Sequence, residues 1–337
     1  MSGEVFHAPL INNSENYDLA GIVTKNSVRI KKIEKKYPNT KIYKTIEGLL
    51  KNDEITLVVV GTPNQFHFSI ADKALSNNKH VILEKPFTVT TKEADKLIHK
   101  AHKKNLMLTA YHNRRLDSDF LTLQRLIKEN KVGEVRELIS HFDRFAPIAP
   151  KNKWRYKNLP GAGVLYDLGS HLIDQALVLF GLPNSIFADL RKERIGSETI
   201  DAFHLILFYD DLRVILSSSF MVKGKRLKFQ LNGTKGTFRK YGLDVQEEHL
   251  VSGETPGKVF EWGQEPRRLW GTLDSVDTYS IIESEKGDYP YFYDNIYEHL
   301  MNNKPLLVKA TEARNVIRLI ELAYESHEKS CVIKVNL

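Results

Sequence analysis

The sequence predicts an α/β protein in two parts. A doubly wound parallel sheet comes first, and an α+β domain with a large open, mostly antiparallel sheet follows. Three observations carry this. Residues 17–110 alternate Val- and Leu-rich apolar runs with helix-spaced segments, the pattern of strands buried on both faces and joined by helices. Residues 185–240 instead give successive strand-like runs separated only by turn signals. The chain has 337 residues, 42% hydrophobic and 27% charged, an ordinary globular composition with room for about two domains of ~100–200 residues. The change of pattern puts the boundary near residue 115, giving domains 1–115 and 116–337.

Composition also excludes several classes. No apolar run approaches the ~18 residues of a membrane helix, so no membrane partner is expected. The single Cys331 rules out a disulfide framework and a cysteine-based zinc site, and it suits a reducing cytoplasm. No H-x-x-x-H, cysteine cluster or acidic box offers a metal site. A net charge of +7 is a mild excess. The basic stretch Arg29–Lys41 lacks the interleaved aromatics of a nucleic-acid module, so nucleic acid is not an expected partner.

In chain order, a short apolar segment ends at Val23 and Val28–Lys36 has helical spacing. Thr56–Gly61 is a buried strand, and Gln65–Ser76 is a helix with Phe66, Ile70, Ala74 and Leu75 on one face. His80–Leu83 is a strand, and Thr91–Lys104 is a helix with Thr91 as N-cap. Leu106–Ala110 closes the first domain. The second opens with a helix at Ser118–Glu129 and a long strand at Val135–Phe145, and a further helix runs from Asp167 to Phe180. Turns are expected at Tyr209-Asp210-Asp211, Lys223-Gly224 and Asn232-Gly233. Residues 241–286 give no clear pattern, and helices at Tyr291–Met301 and Thr311–Ser326 finish the chain.

The opening Met1-Ser2-Gly3 runs straight into a helix-like stretch, followed by a strand, a helix and another strand. A dinucleotide-binding domain starts with a strand and then G-x-G-x-x-G, whose glycines let the backbone approach a pyrophosphate. The start fits such a fingerprint without its first strand and leading glycines, with Gly3 as the third glycine and Ser2 beside it. The simpler reading makes Ser2 an N-cap alone. On the fingerprint reading the native protein begins about ten residues upstream and Met1 is internal. Where an NAD site carries an acid at the tip of the second strand, this chain has Thr24-Lys25-Asn26 and then Arg29. Cations without a carboxylate favour the 2′-phosphate of NADP, with NAD as the alternative.

Three patches carry candidate chemistry. Thr62-Pro63-Asn64 and His67 follow a parallel strand at its carboxyl end, where ligands bind, although helix capping alone would also account for Thr62 and Asn64. Glu84-Lys85-Pro86 follows the next strand, and Lys85 would project into the cleft unless it is a plain loop lysine. In Gly161–Asp174, the residues Asp167, His171 and Asp174 fall at i, i+4 and i+7 on one helical face. A carboxylate beside an imidazole fixes its tautomer and makes a usable base. The simpler reading is an N-terminal acid and a buried structural histidine. Trp154-Arg155 upstream would wall the cleft or pack against it.

Glu-Lys-Pro after such a strand, Asn113-Arg114-Arg115 and then Asp-Leu-Gly-Ser-His opening a helix together resemble the Gfo/Idh/MocA oxidoreductases. The likeness spans the whole chain and is strongest to their NADP-dependent scyllo-inositol dehydrogenase branch. It implies a Rossmann domain and reversible oxidation of a secondary alcohol on a polyol or sugar. It implies Lys85, Asp167 and His171 as the catalytic set. His171 would be the base, Asp167 would orient it, and Lys85 would stabilise the developing alkoxide. It also implies Thr62, Pro63, Asn64, His67, Glu84, Asn113, Trp154 and Arg155 as cofactor or cleft residues, and a homodimer or homotetramer. The rival expectation is a non-catalytic NAD(P)-binding sensor, or a truncated and inactive relative.

Overall fold

The computed structural model describes residues 2–150 and 154–336; Met1 of the opening tripeptide lies outside them. As expected, the start is helical. A π-helical stretch, Gly3–His7, runs into α1 (Ala8–Asn13). Ser2 makes no side-chain cap bond, so capping does not account for it.

The first domain then alternates strand and helix. β1 (Gly21–Val23), α2 (Ser27–Lys36), β2 (Lys41–Tyr43) and α3 (Ile46–Leu50) come first. β3 (Leu57–Val60), α4 (His67–Ser76), β4 (His80–Leu83), α5 (Thr91–Lys103) and β5 (Leu108–Ala110) follow. All strand pairs here are parallel, but they form two separate ladders, β1–β2 and β3–β4–β5. Among the described residues no strand joins them. Within these residues β1 pairs with β2 and β3 pairs with β4. β2 and α3 were not legible in the sequence, being only three and five residues long.

The cap of α5 is Thr90 rather than the expected Thr91. Thr90 and Glu93 form a reciprocal capping box. Thr91 is occupied elsewhere: its N–H and hydroxyl donate to Glu321 at 2.7 and 2.6 Å. That contact ties the first domain to the last long helix of the second.

The second domain begins with α6 (Ser118–Lys128) and β6 (Val135–His141), which stops short of the expected Phe145. A π-helical turn, Leu165–Gly169, leads into α7 (Ser170–Phe180). Then come β7 (Ser185–Arg191), β8 (Ala202–Phe208), β9 (Arg213–Ser218), β10 (Leu227–Gly233) and β11 (Gly236–Tyr241). α8 (Gln246–Ser252), β12 (Gly271–Ser275), β13 (Tyr279–Ile282), α9 (Pro290–Asn302), α10 (Ala310–Lys329) and β14 (Ile333–Lys334) complete it. Nine strands form one sheet in the order β13-β12-β11-β10-β6-β9-β8-β7-β14. It is antiparallel throughout except for the parallel β6–β9 pair. The turn expected at Asn232-Gly233 lies at Thr234-Lys235, because Gly233 still pairs with Gly236 across the hairpin.

One face of this sheet is core: Ala188, Leu205, Leu216, Leu231 and Phe238 are buried. α7 and α10 cover it, and α10 also reaches α5 and β5 of the first domain. No helix among the described residues is long and apolar enough to cross a membrane.

Candidate active site

Parallel strands end in loops that share one edge of the sheet, and ligands gather there. The loops after β3, β4 and β5 carry Thr62-Pro63-Asn64, Glu84-Lys85 and His112-Asn113. Across from them stand the π-helical turn, α7 and a short 3₁₀ turn, Trp154–Tyr156.

Lys85 and Asp167 meet across this divide. Lys85 Nζ donates to the Asp167 carbonyl at 2.6 Å and to Asp167 Oδ1 at 2.8 Å. Arg155 Nε lies 3.8 Å from the same Oδ1 and its guanidinium stacks near Trp154. Burial alone would raise the Asp167 carboxyl, but the Lys85 and Arg155 charges and the Lys85 hydrogen bond hold it well below the ordinary range. An ammonium has three N–H donors. Two go to Asp167, which leaves one for another acceptor.

The expected Asp167–His171 pair does not form. Among the described residues Asp167 serves Lys85, and His171 Nδ1 is enclosed with no partner. The cause is local: the wider π turn at Leu165–Gly169 breaks the i, i+4 register that an α-helix would keep. Nor does Asp174 complete the stripe. Its two oxygens accept from Arg115 Nη2 and Nε at 2.6 and 2.9 Å. His171 is 4% exposed. Burial, and then Lys85, Arg114, His112 and Lys228, push its imidazole well below the usual histidine range. A neutral imidazole can accept a proton.

Glu84 sits under Lys85 as an anchor. Glu84 Oε2 accepts from the Lys85 backbone N–H at 3.0 Å, and Oε1 is 3.0 Å from His7 Nε2. His7 Nδ1 in turn meets the Tyr293 hydroxyl at 2.7 Å. Burial raises the Glu84 carboxyl, yet the His7 hydrogen bond, with the His7 and Lys85 charges, brings it down to about 2 from 4.5. A carboxyl lowered by folding contributes stability that is full above its unfolded value and is lost as pH falls through its folded value. Stability should therefore drain between about pH 4.5 and about pH 2. In Glu84→Gln that part of the acid-side loss should vanish. Urea midpoints at acid and neutral pH check this, and an unchanged pH dependence would refute it.

The cofactor candidates divide into groups. Asn64 Nδ2 donates to the Gly161 carbonyl at 2.6 Å and joins the two domains. Neither Thr62 nor Asn64 caps a helix, so the capping alternative falls. His67 is buried, its two nitrogens 2.9 and 3.0 Å from the Pro86 and Thr62 carbonyls, and it locks two strand-end loops together. Pro63 precedes the 3₁₀ turn that leads into α4, and Asn113 opens another after β5. Ser2 and Gly3 lie over the end of β3. A side chain at Gly61 would meet Ser2 Oγ at 2.9 Å and the Gly3 backbone nitrogen at 3.6 Å. Among the described residues the Thr62 hydroxyl is enclosed without a partner, and the Ser2 hydroxyl, also enclosed, helps hold the Glu84 carboxyl down. Enclosed hydroxyls where a helix starts against a strand end suit the polar spine of a dinucleotide. Thr24, Lys25 and Arg29 stand apart, at the tip of β1 and on the first turn of α2, where Asn26 accepts from the Arg29 N–H at 3.0 Å as the cap.

His112, Arg114 and Arg115 were not singled out as site residues by the sequence reading, yet the structure places all three in this wall. Arg114 and Arg115 stood in the sequence only as part of a motif of resemblance, and His112 gave no signal beyond its position after a strand end.

A lysine–aspartate pair and a neutral histidine beside parallel strand ends suit a nicotinamide-dependent oxidoreductase. Family comparison agrees. Residues 1–112 match the oxidoreductase family's NAD-binding Rossmann fold, and residues 124–337 match its C-terminal alpha/beta domain. The chain belongs to the Gfo/Idh/MocA oxidoreductase family. It is 39% identical to the oxidoreductase YdgJ of Escherichia coli K12, over 96% of this chain and 93% of that protein. It is 35% identical to the scyllo-inositol 2-dehydrogenase (NADP(+)) IolW of Bacillus subtilis 168, over 100% of this chain and 94% of that one. The solved yvaA oxidoreductase of Bacillus subtilis superposes with a TM-score of 0.93 at 34% identity, covering 99% and 96% of the two chains.

Proposed function

We propose that the protein oxidises a secondary alcohol of a cyclic polyol, scyllo-inositol or a close analogue, reversibly to the ketone with NADP. The observation that carries this is the meeting of Lys85 with Asp167 on the turn that leads into the His171 helix. Bound nicotinamide would supply the hydride acceptor. Ser2, Gly3 and Thr62 would hold its phosphates and ribose, and Lys25 and Arg29 the 2′-phosphate.

The residues of the chain manage the proton and the charge. Asp167 fixes Lys85 by two acceptors, and the third ammonium N–H binds the carbinol oxygen. His171, neutral and largely dry, takes the hydroxyl proton. As that proton leaves, negative charge builds on oxygen, and the fixed ammonium stabilises it without reorganising. The half-buried face of the large sheet, with Phe187, Ile206 and Ile215, supports pairing with a second copy, which the solution mass would test.

The test is a panel of inositols and hexoses with NADP and with NAD, read as nicotinamide absorbance. Turnover of one cyclic polyol is the expected result. Dinucleotide binding with no turnover across the panel would favour the sensor reading instead. Within the same assay, Lys25→Asp should raise the KM for NADP roughly tenfold, about 1.4 kcal/mol, with little change for NAD. An unmoved NADP/NAD ratio would remove Lys25 from the phosphate site.

A further inference from the structure

One buried imidazole has no task in this scheme. His112 lies two residues past β5, where the Tyr111 N–H donates to the Leu83 carbonyl at 2.8 Å. That bond sets it beside Glu84 and Lys85. From the other side α7 closes on it, because Arg115 grips Asp174 and Gln175 Nε2 donates to the Arg114 carbonyl at 2.9 Å. His112 Nδ1 is 3.7 Å from Asp174 Oδ2. That is about half an ångström beyond the long end of an ordinary N–H···O bond, so a modest side-chain shift closes it. Among the described residues both ring nitrogens of His112 are enclosed without a partner, as is His171 Nδ1. His171 and Asp174 stand three residues apart on α7 and therefore share a face. A buried nitrogen without a partner pays its desolvation cost in full, and three in one wall require a reason.

We propose that His112 is a positioning residue for His171, the middle member of an Asp174–His112–His171 proton chain. Asp174 accepts from His112 Nδ1–H. His112 Nε2 then carries a lone pair and accepts from His171 Nδ1–H, directly or through one water. His171 Nε2 is left with the lone pair that takes the substrate proton. Only O–H and N–H bonds change: the proton leaves the hydroxyl and arrives on Nε2, and the imidazolium so formed is held by His112 with the carboxylate behind it.

The surroundings agree. His171 faces the cations Lys85, Arg114 and Lys228, and His112 faces Asp174, Arg115, Lys85 and Glu84. Burial is the largest effect and lowers both imidazoles; at His112 the Asp174 carboxylate opposes it while Arg115 and Lys85 add to it, and on balance both begin neutral as such a chain requires. For its substrate the chain rests on the dehydrogenase reading; for its geometry it does not.

The experiment uses the whole protein labelled with ¹⁵N-histidine, with His171→Asn to assign the ring signals. His171 is expected as the Nδ1–H tautomer. His112→Phe should abolish that preference, and His112→Gln, which keeps an acceptor, should retain it. With scyllo-inositol and NADP, His112→Phe should lower kcat at least ~10-fold with the KM for NADP unchanged. The acid limb of kcat should move to lower pH, because the imidazolium loses its support. An Nε2–H tautomer in the unsubstituted protein would overturn the proposal. So would a His112→Phe protein with the original tautomer and acid limb, even if slower. If the unsubstituted protein turns over nothing, the dehydrogenase reading fails, and the tautomer still decides this one.

Discussion

Lys85→Met should lower kcat by ~10²–10³-fold, about 3–4 kcal/mol of transition-state stabilisation, while the protein stays folded. The ammonium is 13% exposed and anchored twice to Asp167, at 2.6 and 2.8 Å. Methionine keeps the length and loses every donor. Two consequences follow. The developing alkoxide meets no cation, and the Asp167 carboxyl loses the charge that most lowers it, so its pKa rises. Lys85→Arg keeps the charge but spreads it over a planar fork, so it should hold Asp167 low and recover only part of the rate. Steady-state kinetics on the polyol identified by the panel check this, with thermal melts to confirm folding. A Lys85→Met enzyme within threefold of the original kcat would end the assignment.

Arg115→Met should destabilise the fold by about 3–5 kcal/mol, the usual cost of stranding a buried charge. Arg115 is 7% exposed as a side chain, and Asp174 is 2%. One guanidinium serves three elements. Nε and Nη2 clamp Asp174 on α7, and Nη1 donates to the Leu307 carbonyl at 2.7 Å and to Glu312 on α10 at 2.8 Å. Burial raises the Asp174 carboxyl, while the His112 and Arg115 charges and the Arg115 hydrogen bonds lower it on balance. Without Arg115 the carboxylate must stay ionised at a cost or take up a proton. Adding Asp174→Asn to Arg115→Met should return part of the loss, since the stranded charge is gone. Guanidinium unfolding of the single and double variants measures both. A loss under 1 kcal/mol for Arg115→Met would show that water replaces the clamp.

Long periodic elements were legible from residue order, and contacts between distant residues were not. His80–Leu83 is read to the residue, because Val81, Ile82 and Leu83 make a run too short for a helix and closed on both sides by turn signals. β12 and β13 were missed in the stretch 241–286. They are five and four residues long, and their half-exposed side chains blur the two-residue alternation. In the site, Lys85, Asp167 and His171 stood out through motif and strand-end position. Their pairing did not. The π turn that separates Asp167 from His171 leaves no trace in the sequence, and the grip of Arg115 on Asp174 joins residues 59 positions apart. His112 was overlooked because a lone histidine announces nothing until its neighbours are known.

The exposed setting of α2 has a thermodynamic consequence. α2 buries none of its side chains, and the β1–β2 pairing beside it is only three residues long. This lobe therefore opens at a smaller free-energy cost than the sheet beyond it, and its amides exchange with solvent first. Any coenzyme that grips Lys25 and Arg29 must hold that lobe shut. Its affinity and the lobe's breathing are then two readings of one equilibrium.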